Sequence, residues 1–179
     1  MSQAAGPGAG DRSQPVIRIR RAGHDDAGAV LACLGLAFEQ YRDRYTPEAF
    51  ADTVMSIETI QQRFAEMSVF VAVTETGEIA GTVGYQTIGS DEGHIRGMAV
   101  RPEYLGAGVA QRLLQAVEAE LRQRGCSLLS LDTTTPLERA IRFYERQGFR
   151  ASGKVRDFFG MRLLEYTKRL CAARASCVV

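Results

Sequence analysis

Gly106-Ala107-Gly108-Val109-Ala110 sets small residues where the apolar run "HIRGMAV" (94–100) hands over to the long amphipathic run "VAQRLLQAVEAELRQRG" (109–125). The first amides of a helix have no partner within it, and the helix dipole adds partial positive charge there. Small side chains let an anion approach those amides closely. A phosphate or pyrophosphate is the natural guest. One such contact is worth about 0.3–1 kcal/mol, so several amides must converge.

Two phosphate loops can be compared with this one. A Walker A loop needs Gly-Lys-Ser/Thr, and no lysine follows Gly108. A dinucleotide turn needs G-x-G-x-x-G directly after a strand. Here Gln111 holds the third glycine's place and "RPEYL" intervenes, although Asp132 ends the next strand as a ribose-binding acid would. A helix that simply begins with glycines is the remaining alternative.

Other residues offer proton and charge chemistry. Gly97 interrupts an apolar run, where a bulge would turn the Met98 N–H out of a ladder; an ordinary glycine-containing strand is the alternative. His94 titrates near neutrality and suits proton pick-up, or is a hydrogen-bonded loop histidine. Leu137, Ala140, Ile141 and Tyr144 fall on one helical face, so Tyr144 can be core, a polar tip for a site, or both.

The elements that must position these groups follow from periodicity. "VIRIRRA" (16–22) alternates as a half-buried strand. Asp25 or Asp26 caps a helix with Val30, Leu31, Leu34 and Phe38 on its apolar face. Thr46-Pro47 reads as N-cap and first residue of another helix, and a break near Ser56 leads to "IETIQQRFAEM". "SVFVAVTE" and "EIAGTVGYQT" flank Thr76-Gly77 as a hairpin, and the polar loop "IGSDEG" leads to "HIRGMAV". Val109, Ala110, Leu113, Leu114, Val117 and Leu121 make one stripe of a helix that Gly125 closes. "SLLSLDT" is a strand. Thr135-Pro136-Leu137-Glu138 matches a capping box, and Gly148 ends its helix. "FRASGKVRD" and "GMRLLEYTKRL" close the chain as strands. Residues 1–14 and 171–179 read as tails around one α/β domain spanning 15–170, with a mixed sheet.

The totals exclude several classes. The 179 residues are 45% hydrophobic and 24% charged, with formal net charge +1, so no overall basic field argues for nucleic acid. Ala27–Phe38 is too short to span a bilayer, and no targeting segment is legible, so a cytoplasmic protein with no membrane partner is expected. Cys33, Cys126, Cys171 and Cys177 form no C-x-x-C pair, and His24 and His94 are far apart, so no metal is expected. Cys33 and Cys126 read as small core hydrophobes.

"MAVRPEYLGAGVAQRLL" resembles the acyl-coenzyme A loop of the GNAT N-acetyltransferase superfamily, Arg/Gln-x-x-Gly-x-Gly/Ala after a strand. Gly108 and Ala110 match its last two positions, and Leu105 stands where Arg or Gln is usual. "AIRFYERQGF" is similar to the family's A-x-x-F-Y-E-x-x-G-F segment, with Leu137 in place of a frequent Asn. The resemblance runs from Ile17 to Leu170. It implies a mostly antiparallel central sheet with a splay between two parallel middle strands and helices on both faces.

The resemblance also implies transfer of an acetyl group from acetyl-CoA to a primary amine, by direct attack. Acetyl-CoA would lie between "HIRGMAV" and "SLLSLDT", held by Met98, Ala99, Val100 and the Leu105–Ala110 loop (Leu105, Gly106, Ala107, Gly108, Val109, Ala110). An alkyl amine has a pKa near about 10, so about one part in a thousand is free base at neutral pH and a proton acceptor is needed. His94 is the first choice, Glu92 the second and a water chain the third. The Met98 N–H would meet the thioester oxygen, and Tyr144 would protonate the leaving sulfur. Arg96 and Arg101 meet coenzyme phosphates or are solvated, with solvation favoured. Tyr41, Tyr45 and residues 46–54 fall where the family's acceptor segment lies. The acceptor is a small-molecule or peptide amine, which the acidic loop Ser90–Glu92 would favour as a cation; a homodimer is compatible with the family. A coenzyme-binding module without turnover is the alternative function.

Overall fold

The computed structural model describes residues 16–170; the expected tails at 1–14 and 171–179, with Cys171 and Cys177, lie outside the described residues. The strands are β1 (Ile17–Arg21), β2 (Ser68–Thr74), β3 (Ile79–Ile88), β4 (Glu92–Val100), β5 (Leu128–Thr134), β6 (Arg150–Phe158) and β7 (Met161–Arg169). The helices are α1 (Ala27–Phe38), α2 (Pro47–Val54), α3 (Ile57–Glu66), α4 (Val109–Gln123) and α5 (Glu138–Arg146). The strands form one sheet in the order β1-β2-β3-β4-β5-β7-β6. Every pair is antiparallel except β4–β5. That parallel pair requires a crossover, which α4 supplies.

Helices cover both faces, so β2 is apolar from Val69 to Val73. Val71 and Val73 pack with α1, α2 and α3 on one face, and Phe70 and Ala72 with α4 on the other. The α4 stripe is as periodicity predicts, with Val109, Leu113, Leu114, Val117 and Leu121 buried. Glu118 is buried with them, a position the pattern does not reveal. It accepts from Lys168 Nζ at 2.5 Å and Arg122 Nη2 at 2.7 Å, which satisfies the carboxylate.

Several predicted ends differ. The Asp26 carboxylate does not cap α1; it accepts from Gly23 N–H and pairs with Arg20 at 2.7 Å. The β3–β4 hairpin is tighter than the expected loop, because β3 runs to Ile88 and β4 starts at Glu92. Hence His94 is the third residue of its strand, not the first. Thr135 is no N-cap either. Leu137 N–H closes a turn on Thr134 C=O at 3.0 Å, and α5 begins only at Glu138. Thr46 and Ser56 do cap α2 and α3 through their hydroxyls. No helix among the described residues is long and apolar enough to cross a membrane.

Candidate active site

The β4–β5 ladder runs from Glu92↔Leu128 only to Ile95↔Leu131, yet β4 continues to Val100 and β5 to Thr134. The two strands therefore part in the middle of the sheet. The parting begins at a bulge. Thr82 pairs with Ala99 while Gly84 pairs with Arg96, so Gly97 and Met98 together face Val83. Gly97 has φ +63°, a conformation that favours glycine. A cleft of about 910 Å³ opens here, and Met98, Val100, Gly108, Asp132 and Tyr144 are on its walls.

The glycine loop forms one end of the cleft. A 3-10 turn, Pro102–Tyr104, precedes it and is braced by Tyr104 Oη donating to Glu78 at 2.7 Å. Leu105 N–H donates to Pro102 C=O at 3.2 Å and Ala107 N–H to Tyr104 C=O at 3.3 Å. Those two amides serve the loop itself; Leu105 still lines the cleft, while Ala107 packs against the core. The first α4 amide with a backbone acceptor is Arg112, bonded to Gly108 C=O at 3.1 Å. Among the described residues the amides of Gly106, Gly108, Val109 and Ala110 have no backbone acceptor, and these four residues line the cleft. A Cβ at Gly106 or Gly108 would meet nothing within 4 Å, so the space before these amides is open. Open space, unspent amides and the start of a 15-residue helix fit a diphosphate.

Tyr144 stands opposite, on α5. Its helix ends in a double turn, with Gly148 N–H donating to Glu145 C=O at 3.1 Å and Phe149 N–H to Tyr144 C=O at 3.0 Å. Gly148 (φ +91°) permits that ending. The Tyr144 and Phe149 rings then pack edge to face, 5.6 Å between centroids, which fixes the phenol in the core. Its hydroxyl emerges beside the bulge and donates to Met98 Sδ at 3.3 Å. Burial pushes its pKa well above the usual phenol value. The group is thus a protonated donor with only a weak partner.

His94 is buried, and lies opposite Ser130 in the ladder. Its Nδ1 is 2.8 Å from Ser130 Oγ, and the Ser130 hydroxyl donates to Glu92 in a short hydrogen bond. A hydroxyl has one proton, here given to a carboxylate, so Ser130 Oγ accepts from His94 Nδ1–H. Nε2 then carries the lone pair and lies 3.5 Å from Asp132 Oδ2. Both Asp132 oxygens accept from Arg156 Nη2 at 2.5 Å. Burial lowers the His94 pKa below the ordinary histidine value, against the pull of Asp132, so the ring is neutral at pH 7. Ser130 and Asp132 were not singled out for this role from sequence. Their signal was two polar residues at i and i+2 in an apolar strand.

The α1–α3 face supplies the other wall. Tyr41, Tyr45 and α2 residues Asp52 and Thr53 line it. Tyr45 Oη is 2.5 Å from Thr134 Oγ1, and Thr46 Oγ1 donates to Phe159 C=O at 2.8 Å, tying this wall to β5 and to the β6–β7 turn. The acidic loop is spent: Asp91 accepts from Ser127 N–H at 3.0 Å and from Ser127 Oγ at 2.8 Å, and Glu92 from Ser130. Arg101 is not solvated as expected, because it pairs with Glu78 and with Glu103. Arg96 is exposed. Among the described residues no group of His, Cys, Asp and Glu side chains could hold a metal.

The sequence model of the acetyltransferase (GNAT) family matches residues 32–149. The chain is similar in structure to an acetyltransferase of the GNAT family from Staphylococcus aureus Mu50, at TM-score 0.72 and 16% identity over 87% of this chain and 100% of that one. It is similar to the ribosomal-protein-S18-alanine N-acetyltransferase of Escherichia coli, at TM-score 0.71 and 20% identity over 92% and 100%. It is also similar to the PaiA N-acetyltransferase of Thermoplasma acidophilum, solved with coenzyme A, at TM-score 0.71 and 16% identity over 86% and 99%.

Proposed function

The chain belongs to the acetyltransferase (GNAT) family, and on that premise we propose that it moves an acetyl group from acetyl-CoA to a primary amine by direct attack. The observation that carries this reading is the opposition of Tyr144 Oη and the Met98 bulge across the open β4–β5 gap, with the unspent loop amides at its end. Acetyl-CoA supplies the acyl group already activated as a thioester. Gly106, Gly108, Val109 and Ala110 hold its diphosphate through backbone N–H groups, and Leu105 lines the path beside them. Val100 and Ala99 offer the β4 edge to the pantetheine arm.

The chain's own groups answer the three demands of amine acylation. Met98 N–H, outside regular pairing, donates to the oxygen on which charge develops. Tyr144 donates its proton towards the departing sulfur. His94 Nε2 takes the amine's proton, and Asp132 stabilises the imidazolium that results. Glu92 orients the ring through Ser130. A cytoplasmic setting and a small-molecule or peptide acceptor belong to the same proposal.

Thermal unfolding with acetyl-CoA, CoA, NAD and ATP is the first test, since a ligand that binds only the native fold stabilises it by mass action. Stabilisation by both coenzyme A forms is expected, with thiol release on addition of an amine. Stabilisation by NAD alone overturns the reading. Acetyl-CoA binding without thiol release on any amine returns a coenzyme-binding module instead.

A further inference from the structure

Arg63 projects from α3 to the cleft wall at the bulge. Its Nη1 lies so close to Gly97 that a Cβ there would stand only 2.6 Å from it. Among the described residues it makes no ion pair and no side-chain hydrogen bond, although every other guanidinium of the cleft's β4–β5 rim, Arg156 included, has a carboxylate or is solvated. The floor beneath it is apolar: Val30, Leu34 and Ile60, all buried, bound the same small void as Arg63. Burial, with nearby Arg96 adding to it and Asp52 pulling weakly the other way, lowers its pKa to about 10. Arg96 also disfavours the protonated form of His94.

A partly buried guanidinium with no carboxylate partner and a second guanidinium nearby costs stability. The cleft's carboxylates do not relieve it. Asp132 is taken by Arg156, Glu92 by Ser130, Glu165 by Lys154 and Asp157 by Gly160 N–H; Asp52 stands outside ion-pair range. What is missing at this wall is an anion, and the wall faces the site. Resting on the acetyl-transfer reading above, we propose that Arg63, aided by Arg96, binds an oxyanion carried by the acceptor, so that the acceptor is a compact amino acid whose carboxylate lies close to its amine.

The spacing sets the size. The guanidinium abuts Gly97, and the amide that meets the reacting oxygen belongs to the next residue, about 3.8 Å away between Cα atoms. An anion held at Arg63 is therefore only a few bonds from the attacking nitrogen. A fork of parallel N–H donors suits a carboxylate better than a lysine would. The acidic loop, which on sequence grounds would favour a cationic amine, is spent on Ser127 and Ser130.

The test compares thiol release by the full chain for a panel of amino acids, the matching carboxamides and the matching decarboxylated amines. Acids are expected to exceed amides by about 10- to 100-fold in kcat/KM, the worth of a hydrogen-bonded charge. In Arg63→Gln that preference collapses through KM, while Arg63→Lys restores part of it. Stabilisation of each variant by acetyl-CoA certifies its fold. Equal rates for acids, amides and amines, or an unchanged preference in Arg63→Gln, overturn this subsite while leaving acetyl transfer standing. Thiol release on no amine at all overturns the transfer reading, and the subsite with it.

Discussion

The Tyr144 hydroxyl lies 3.3 Å from the thioether of Met98, on the far side of the gap where β4 and β5 part. One residue comes from the last turn of α5 and the other from the bulge in β4. Their contact sets the proposed proton donor beside the amide proposed to donate to the thioester oxygen. A thioether is a weak acceptor, so the hydroxyl gives up little when it turns to a coenzyme sulfur.

Tyr144→Phe should therefore cut the acetyl-transfer rate by about 100-fold. Stability should fall by less than about 1 kcal/mol, because the ring and its packing on Phe149 remain. Thiol-release kinetics and thermal unfolding of the same preparation separate the two effects. A full rate in the variant removes Tyr144 from the chemistry.

An acidic limb in kcat/KM should follow from His94 as the proposed base. Its folded pKa lies below the ordinary histidine value because the ring is buried. kcat/KM should then rise with pH to a midpoint below about 6.5 and stay level through neutrality. Stability carries the same sign: the contribution of the neutral ring is complete above the unfolded pKa and is lost as pH falls through the folded one. His94→Gln keeps a ring-sized polar group near Ser130 and should lower the rate at pH 7 about 100-fold while erasing that limb. A limb that survives the substitution assigns proton pick-up to water.

Gly108 joins two requirements in one residue. Its φ of +75° admits glycine readily, and the space before it is open. Gly108→Val should cost the free protein about 1–2 kcal/mol through the backbone alone. Its larger effect is on coenzyme affinity, which should fall roughly 10-fold or more as the side chain fills the cradle. Acetyl-CoA titrations followed by calorimetry test this directly. Affinity equal to that of the parent chain contradicts the diphosphate cradle.

The loop and the aromatic segment were legible in sequence because their backbone turns need particular residue types at particular places. Gly108 must be small, and Gly148 must take positive φ where α5 ends. The strand segments followed from period and turn signals, whereas the splayed sheet came only with the family resemblance. Thr135 misled because its box of residue types is also met by a turn, and Leu137 N–H chose Thr134 C=O. Ser130, Asp132 and Arg156 come together only through the β4–β5 register and the return of β6, which no local pattern encodes. Arg63 carries no signal of its own within "IETIQQRFAEM". Its isolation is a property of what surrounds it, and only the packed cleft displays that.

Gly97→Ala probes the bulge and its neighbour together. The alanine must hold φ near +63° at a cost of about 1–2 kcal/mol, and its Cβ would stand 2.6 Å from Arg63 Nη1. The guanidinium is the end of a flexible side chain, so it can withdraw, and the fold should survive with a lower midpoint of unfolding. Relaxing the strain moves the Met98 amide, and a shift on the order of 1 Å costs about 100-fold in rate. kcat should therefore fall with every acceptor, while KM rises only for acceptors that carry a carboxylate. Steady-state kinetics on one amino acid and its amide give both numbers. An unchanged kcat would show that the bulge does not place the amide proposed to donate to the thioester oxygen.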